Sequence, residues 1–189
     1  MSELISRNTH TVKRTLAILV DNEAGVLARV IGLFSARAYN IESLTVAEVN
    51  QEENLSRITV ITSGTEQVIA QIKNHLKRQV CVHGVADLTE DGPAVQRELA
   101  LLKVCGKGDS RIETLRLADA FKARVIDATQ TSFVLEITAS AEKLDTFIDL
   151  LKPIGLLEVS RTGIVAISRG ANPMIYRDMN NASLIKVID

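Results

Sequence analysis

The same order of apolar patterns occurs twice along this chain, in two stretches of about 75 residues each. In each stretch an apolar strand pattern is followed by a helical spacing, two alternating strand patterns, a second helical spacing and a final strand pattern. This β-α-β-β-α-β order is that of the split βαβ, or ferredoxin-like, unit. A chain of 189 residues is long enough for two small domains. We therefore expect an α+β protein made of two tandem ferredoxin-like βαββαβ domains.

A cluster of chain-breaking residues separates the two repeats. The run Glu90-Asp91-Gly92-Pro93 is typical of a linker, which places the domains at residues 12–89 and 96–170. The second domain ends in one long strand pattern at residues 156–168. The remaining residues, 171–189, are polar and rich in Asn, so we expect a poorly ordered, flexible tail.

The helices are predicted from the spacing of their apolar residues. After a strand pattern at residues 15–20, helical spacing starts at Gly25, and we predict that this helix ends at Asn40. The residues of this helix expected to face the core are Val26, Leu27, Val30, Ile31 and Phe34. The residues expected to face inward on the first helix of the second repeat are Ile112, Leu115, Ala118 and Phe121.

The loop Asp21-Asn22-Glu23-Ala24-Gly25, between the first strand and the first helix, is the best candidate binding site. The first N–H groups of a helix lack helical partners and carry the positive end of the helix dipole, so they favour a small carboxylate. The N–H groups of Gly25, Val26 and Leu27 would then bind the carboxylate, while Asn22 orients a polar group. A simpler interpretation is that Asn22 caps the helix and Gly25 relieves a tight turn. Both can hold at once.

Binding, rather than catalysis, is the function class that the residue types favour. The sequence gives no spacing from which a Ser/His/Asp or Cys/His triad can be proposed. His10, His75 and His83 lie in unrelated contexts without the spacing of metal ligands. The run Cys105-Gly106-Lys107-Gly108 lacks the full phosphate-binding loop pattern.

Composition and charge narrow the classes of partner. Lys and Arg number 22 against 23 Asp and Glu, a net charge of −1, which gives no nucleic-acid footprint. No apolar run reaches the ~18 residues that a membrane span needs, and the first residues lack the pattern of a secretory signal. The two cysteines, Cys81 and Cys105, lie in separate apolar runs, and we expect both to be buried thiols in a reducing cytoplasm.

Several motifs in a fixed order resemble a known family. The run from Asn22 to Phe34, NEAGVLARVIGLF, and the run from Tyr39 to Val46, YNIESLTV, resemble the amino-acid-binding ACT domain. More closely, they are similar to the small regulatory subunits of acetolactate (acetohydroxyacid) synthase. The similarity extends over about residues 12–170. Its motifs in the second repeat are Arg97-Glu98-Leu99, Phe133 to Thr138, Lys143-Leu144-Asp145, Arg161-Thr162-Gly163 and Ser168-Arg169-Gly170.

Two positions depart from the family pattern. Ala38 stands where the family usually has Gly, so the end of the helix must suit a residue with a Cβ. Ala28 stands where a small hydroxyl residue is common, which removes one possible polar contact. Neither change affects the expected pocket directly.

The resemblance implies a non-catalytic regulatory subunit without a cofactor of its own. It would bind the separate catalytic large subunit, which holds thiamine diphosphate, Mg²⁺ and FAD. It would raise that subunit's activity and confer feedback inhibition by valine, in the branched-chain amino-acid biosynthesis of the cytoplasm. The second domain is the candidate for contact with the large subunit.

The resemblance also implies how the effector is bound. ACT domains of this kind pair side by side as a homodimer with joined sheets, and the effector lies between the protomers. Asn22, Gly25, Val26 and Leu27 of one protomer would then face Asn40 and Ile41 of the other.

Two other functions fit parts of the pattern. A free-standing ACT-type amino-acid sensor or transcription regulator acting on another partner would have the same domains, but we find no helix-turn-helix pattern or basic stripe. A small enzyme on a ferredoxin-like scaffold would need a group of converging reactive residues, and the sequence indicates none.

Overall fold

Each predicted repeat contributes four antiparallel strands to a sheet and packs two helices on one face, and a fifth strand joins the second sheet. The computed structural model describes residues 10–171 and the backbone of residues 175–177 and 184–186. The chain divides into two units, of which the second is Gln96–Val165 and the first contains the chain on either side of it. The predicted α+β fold of two tandem ferredoxin-like βαββαβ domains is confirmed.

The first unit contains the complete first repeat. Its elements are β1 (Val12–Asp21), α1 (Val26–Ala36), β2 (Ser43–Asn50), β3 (Leu55–Gly64), α2 (Glu66–Lys77) and β4 (Val82–Asp87). The strand order is β2-β3-β1-β4, so β1 lies between β3 and β4, and β2 lies at one end of this order. At one end of the sheet lie the end of β1, the first turn of α1 and the β2–β3 connection. Asn22 N donates there to Asn54 O at 2.7 Å.

The second unit repeats this topology. Its elements are β5 (Ala94–Cys105, which begins in the first unit), α3 (Asp109–Phe121), β6 (Arg124–Ala128), β7 (Ser132–Ala139), α4 (Ala141–Leu151), a short 3₁₀ helix (Lys152–Ile154) and β8 (Leu156–Arg161). The strand order is β6-β7-β5-β8, which corresponds to the order in the first unit.

The segment expected to be one strand at residues 156–168 is two strands. After β8 the strand is interrupted at residues 162–164, where Gly163 has φ 84°. The chain then forms β9 (Val165–Ser168), which pairs with β5. The chain returns to the first unit at Ala166, which packs with Ala17 and Leu88.

The expected tail, residues 171–189, lies mostly outside the described residues. Its described parts, β10 (Ile175–Arg177) and β11 (Leu184–Lys186), form an antiparallel pair. None of the helices in the described part of the chain is both long and apolar enough to cross a membrane.

The buried face of α1 differs in part from the predicted one. Val26, Val30 and Phe34 are buried as expected, but Leu33 completes the stripe, while Leu27 is 37% exposed. The expected core position is wrong for Leu27, whereas Ile31 is half-buried, because the stripe is centred between Val26 and Val30. Successive helical residues differ by about 100°, which puts Leu27 and Ile31 on its flank. The core of this unit consists of Leu16, Ile18, Val20, Val26, Val30, Leu33, Phe34, Ile58, Val60, Ile69, Ile72, Leu76, Cys81 and Val82.

Helix α3 is rotated relative to the prediction. Thr114 and Ala118 face the core, with Phe121 half-buried, while Ile112 and Leu115 are exposed at 51% and 42%. Thr114 can be buried because its hydroxyl donates to Ser110 O at 2.8 Å. The expected inward position of Ile112 and Leu115 is therefore wrong.

Candidate functional site

The turn into α1 requires glycine at position 25. Gly25 occupies the N-cap position with φ 88°, and a Cβ there would meet no atom within 4 Å. Backbone conformation, rather than space, is therefore what selects glycine. The simpler interpretation of Gly25 as relief of a tight turn is confirmed, and it leaves the position open to the outside.

The first turn of α1 presents backbone donors to the surface. The first helical hydrogen bond runs from Arg29 N to Gly25 O at 3.0 Å, so the N–H groups of Leu27 and Ala28 have no acceptor within the helix. Val26 N donates to Glu23 O at the long distance of 3.3 Å. The side chain of Val26 is buried, so only its backbone can take part in binding, whereas Leu27 also offers an exposed side chain.

Asn22 does not cap the helix. No side chain caps α1, so this part of the simpler interpretation is wrong. The Asn22 side chain instead accepts a hydrogen bond at Oδ1 from the Ser56 hydroxyl at 2.9 Å. Ser56 follows the β2–β3 turn and is buried at 5% exposure. Sequence reasoning missed Ser56, although the antiparallel pairing of β1 with β3 places it opposite Val20.

A second contact lies directly before the loop. His83 Nε2 and Asp21 Oδ1 are 2.5 Å apart. The register between β1 and β4 shifts here, with Leu19 opposite Gly84 and Val20 opposite Val82, so His83 is the extra residue of a β-bulge. The bulge places the imidazole beside Asp21, so the Asp21 carboxylate has a side-chain partner within its own unit.

The remaining predicted site residues follow the other end of α1. The helix ends at Ala36 and not at Asn40. Asn40 is exposed, and its carbonyl accepts a hydrogen bond from the buried Thr62 hydroxyl at 2.6 Å. Ile41 is half-buried and packs against the core of the first unit.

The structure brings together only part of the predicted set. Asn22, Gly25, Val26 and Leu27 surround the start of α1, whereas Asn40 and Ile41 follow its end. Eleven helical residues span about 16 Å. The two groups of one chain are therefore too far apart to contact the same small ligand.

Family models match both units of the chain. The model described as the AHAS small subunit-like ACT domain matches residues 16–83. The model described as the small subunit of acetolactate synthase matches residues 97–170. This chain belongs to the acetolactate synthase small subunit family. The resemblance found in the loop and helix motifs is confirmed.

Individual members of the acetolactate synthase small subunit family match along nearly their whole length. The probable acetolactate synthase small subunit of Archaeoglobus fulgidus is 41% identical, over 84% of this chain and 98% of the relative. The isozyme 3 small subunit of Escherichia coli is also 41% identical, over 84% of this chain and 97% of the relative. The crystal structure of the Thermotoga maritima small subunit is 33% identical and superimposes with a TM-score of 0.77, over 85% of this chain and 99% of that one.

The backbone at position 38 explains why glycine is usual there in the family. Ala38 N donates to Ser35 O and Tyr39 N to Phe34 O, the paired bonds of a Schellman motif. Ala38 occupies the left-handed position of this motif, with φ 53°. Glycine suits such a position without steric cost, so the usual family residue and the observed backbone agree. The motif turns the chain from α1 towards Asn40.

Proposed function

We propose that this protein is the non-catalytic regulatory subunit of an acetolactate synthase. It binds the catalytic large subunit, raises its activity and confers feedback inhibition by valine. The family match over both units supports this proposal, and the open donor groups at the start of α1 are the single structural observation that carries the effector site. By resemblance to the family, thiamine diphosphate, Mg²⁺ and FAD belong to the large subunit in the cytoplasm, and this chain holds no cofactor.

The residues at the two ends of α1 match the groups of an α-amino acid. The backbone N–H groups of Gly25 and Leu27, the N–H of Val26 with its long bond to Glu23, and the amide of Asn22 bind the carboxylate. The partner subunit contributes Asn40, whose side-chain oxygen accepts from the ammonium group. Exposed Leu27 and half-buried Ile41 offer aliphatic surface for a branched side chain.

The separation of these groups in one chain supports a homodimer. Asn40 and Ile41 lead directly into β2, which lies at the end of the strand order in the first unit. Two ACT domains that join their sheets antiparallel through β2 would place the start of one α1 near the end of the other. The effector would then bridge the two protomers and favour one arrangement of them.

The energies required for regulation are modest. A charge-assisted hydrogen bond contributes ~1.5–3 kcal/mol, so the loss of one weakens binding by roughly 10- to 150-fold. Coupling between the effector site and the large subunit needs only ~1–3 kcal/mol. One or two ligand contacts that differ between two dimer arrangements suffice.

Isothermal titration of the full chain with valine, compared with leucine and isoleucine, tests the proposal. The titration is carried out alone and with the cognate large subunit, alongside assays of acetolactate formation. We expect saturable valine binding, activation of the large subunit and its inhibition by valine. Absence of valine binding in both titrations would contradict the effector assignment. Valine binding without any effect on the large subunit would favour the free-standing sensor.

A further inference from the structure

We propose that Ser56 is a positioning residue that fixes the Asn22 carboxamide as a hydrogen-bond donor towards the effector, which makes an α-carboxylate a strict requirement for binding. This inference rests on the proposed function and assigns a role to a residue outside the predicted site. Its basis is the 2.9 Å hydrogen bond from Ser56 Oγ to Asn22 Oδ1.

The burial of Ser56 determines the direction of this hydrogen bond. The Ser56 residue is 5% exposed, so its hydroxyl proton cannot be given to bulk water. Within residues 10–171, the Ser56 hydroxyl donates its proton to Asn22 Oδ1. If the amide were turned over, Asn22 would donate to Ser56 and leave the buried hydroxyl proton without an acceptor. An unmade hydrogen bond on a buried donor is costly, so the amide oxygen stays on the Ser56 side.

The outward-facing part of Asn22 is therefore its NH₂ group. Asn22 is exposed, and with Oδ1 held by Ser56 its two N–H donors remain for a ligand. They add to the free backbone donors of Leu27 and Ala28 at the start of α1. The neighbouring carboxylate of Asp21 is held by His83 at 2.5 Å. At Asn22 and the start of α1 the loop thus offers donors to the ligand, which suits a carboxylate, while the other carboxylate of the loop, that of Glu23, is exposed.

The test compares the variant Ser56→Ala with Ser56→Thr, which keeps the hydroxyl on the same strand. Each full-length protein is titrated with valine and with valinamide, which lacks the carboxylate. We expect Ser56→Ala to bind valine about tenfold more weakly and to lose part of the preference over valinamide, whereas Ser56→Thr restores both. Ser132→Ala serves as a matched control, because this variant also loses one hydroxyl hydrogen bond, that of 2.7 Å between Ser132 and Thr129. We expect Ser132→Ala to leave valine binding unchanged.

A second measurement needs no ligand and separates this inference from the proposed function. Water exchange of the Asn22 side-chain NH₂ protons is followed by NMR, with Asn22→Asp used to assign the signals. In the free protein both protons should exchange quickly, since neither is bound to Ser56. One protected proton would show the reverse amide orientation and overturn the inference, even if valine binds. Valine affinity of Ser56→Ala within twofold of the unchanged protein would also overturn it.

Discussion

Arg161 donates two parallel hydrogen bonds to the carboxylate of Glu98, from Nε to Oε1 at 2.8 Å and from Nη2 to Oε2 at 2.6 Å. A third bond, from Nη1, reaches Asp145 Oδ1 at 2.6 Å. Arg161 ends β8, Glu98 lies in β5 and Asp145 in α4, so one guanidinium joins three elements of the second unit. The hydrogen bonds with Glu98 and then Asp145, against the opposing effect of burial, raise the pKa of Arg161.

Removal of Arg161 should destabilise the second unit strongly, because the Glu98 side chain is only 5% exposed. We expect Arg161→Leu to lower the free energy of unfolding by about 3–5 kcal/mol, since it leaves a buried carboxylate without a partner. The Asp145 side chain is 61% exposed, so Asp145→Asn should cost less than ~1 kcal/mol. Urea denaturation, with hydrogen exchange in β5 to localise the effect, measures both. Equal losses of unfolding free energy in the two variants would contradict the conclusion that Arg161 stabilises the fold mainly through buried Glu98.

Substitution of Gly25 should separate charge from backbone conformation in the proposed effector site. Any side chain at φ 88° is strained, but Asn tolerates this region better than most residues. We expect Gly25→Asp to place a carboxylate beside the ligand carboxylate and weaken valine binding more than tenfold, with loss of inhibition and retained activation of the large subunit. Gly25→Asn carries a similar backbone cost without the charge, and should keep much of the response. Full valine inhibition of Gly25→Asp would show that the pocket is elsewhere.

Glycine at position 38 should stabilise the first unit. Ala38 holds φ 53°, where an L residue with a Cβ pays about 1–2 kcal/mol, while glycine costs roughly 0.5–1 kcal/mol through the unfolded chain. The net gain expected for Ala38→Gly is up to about 1 kcal/mol in chemical denaturation. Ala36→Gly, two residues earlier at the end of α1, makes the same replacement at a helical position and should be destabilising. A loss of stability in both variants would contradict the role of the Schellman motif.

His75 should make the first unit less stable in mild acid. Burial, together with the charges of Arg37 and Arg78, lowers the pKa of His75, whose Nδ1 lies 3.3 Å from the Tyr39 hydroxyl. As the pH falls through about 6.5, the unfolded chain takes up the His75 proton before the folded chain does. The free energy of unfolding therefore falls with pH until the folded pKa is passed.

Melting temperatures at pH 7.5 and 5.5 test this sign. We expect His75→Gln to lose less stability between the two values than the unchanged protein loses. His10→Gln removes an exposed histidine and serves as the control. A larger drop in melting temperature from pH 7.5 to 5.5 in His75→Gln than in the unchanged protein would mean that protonated His75 stabilises the fold.

The apolar pattern predicts the elements well because burial imposes it directly. The six residues 15–20 are all buried in β1, and Leu144, Phe147 and Leu151 are buried in α4 as their spacing indicates. Rotation of α3 could not be predicted, because Ile112 with Leu115 and Leu117 with Phe121 define competing stripes of similar hydrophobicity, and a threonine decides between them.

The features of the candidate site also divide into those that follow from the local sequence and those that depend on the tertiary fold. Backbone donors at the start of α1 follow from the local sequence alone. The contacts of Ser56 with Asn22 and of His83 with Asp21 join residues 34 and 62 positions apart. They depend on strand order, register and one β-bulge, none of which is encoded within the loop itself.

The two cysteines should differ in reactivity, against the expectation that both are buried. Cys81 is in the core of the first unit at 4% exposure, whereas Cys105 is exposed. Residues of β5 alternate between the faces of the sheet, so Val104 is buried while Lys103 and Cys105 point away from the helices.

Titration of the native protein with a disulfide reagent such as Ellman's reagent should therefore modify one thiol per chain quickly, and a second only in denaturant. Cys105→Ser should remove the fast reaction and Cys81→Ser should leave it unchanged. Two fast thiols in the native protein would mean that the core around Cys81 opens readily. No fast thiol would mean that the outer face of β5 is covered in solution, because an exposed thiol on an open sheet face has nothing else to protect it.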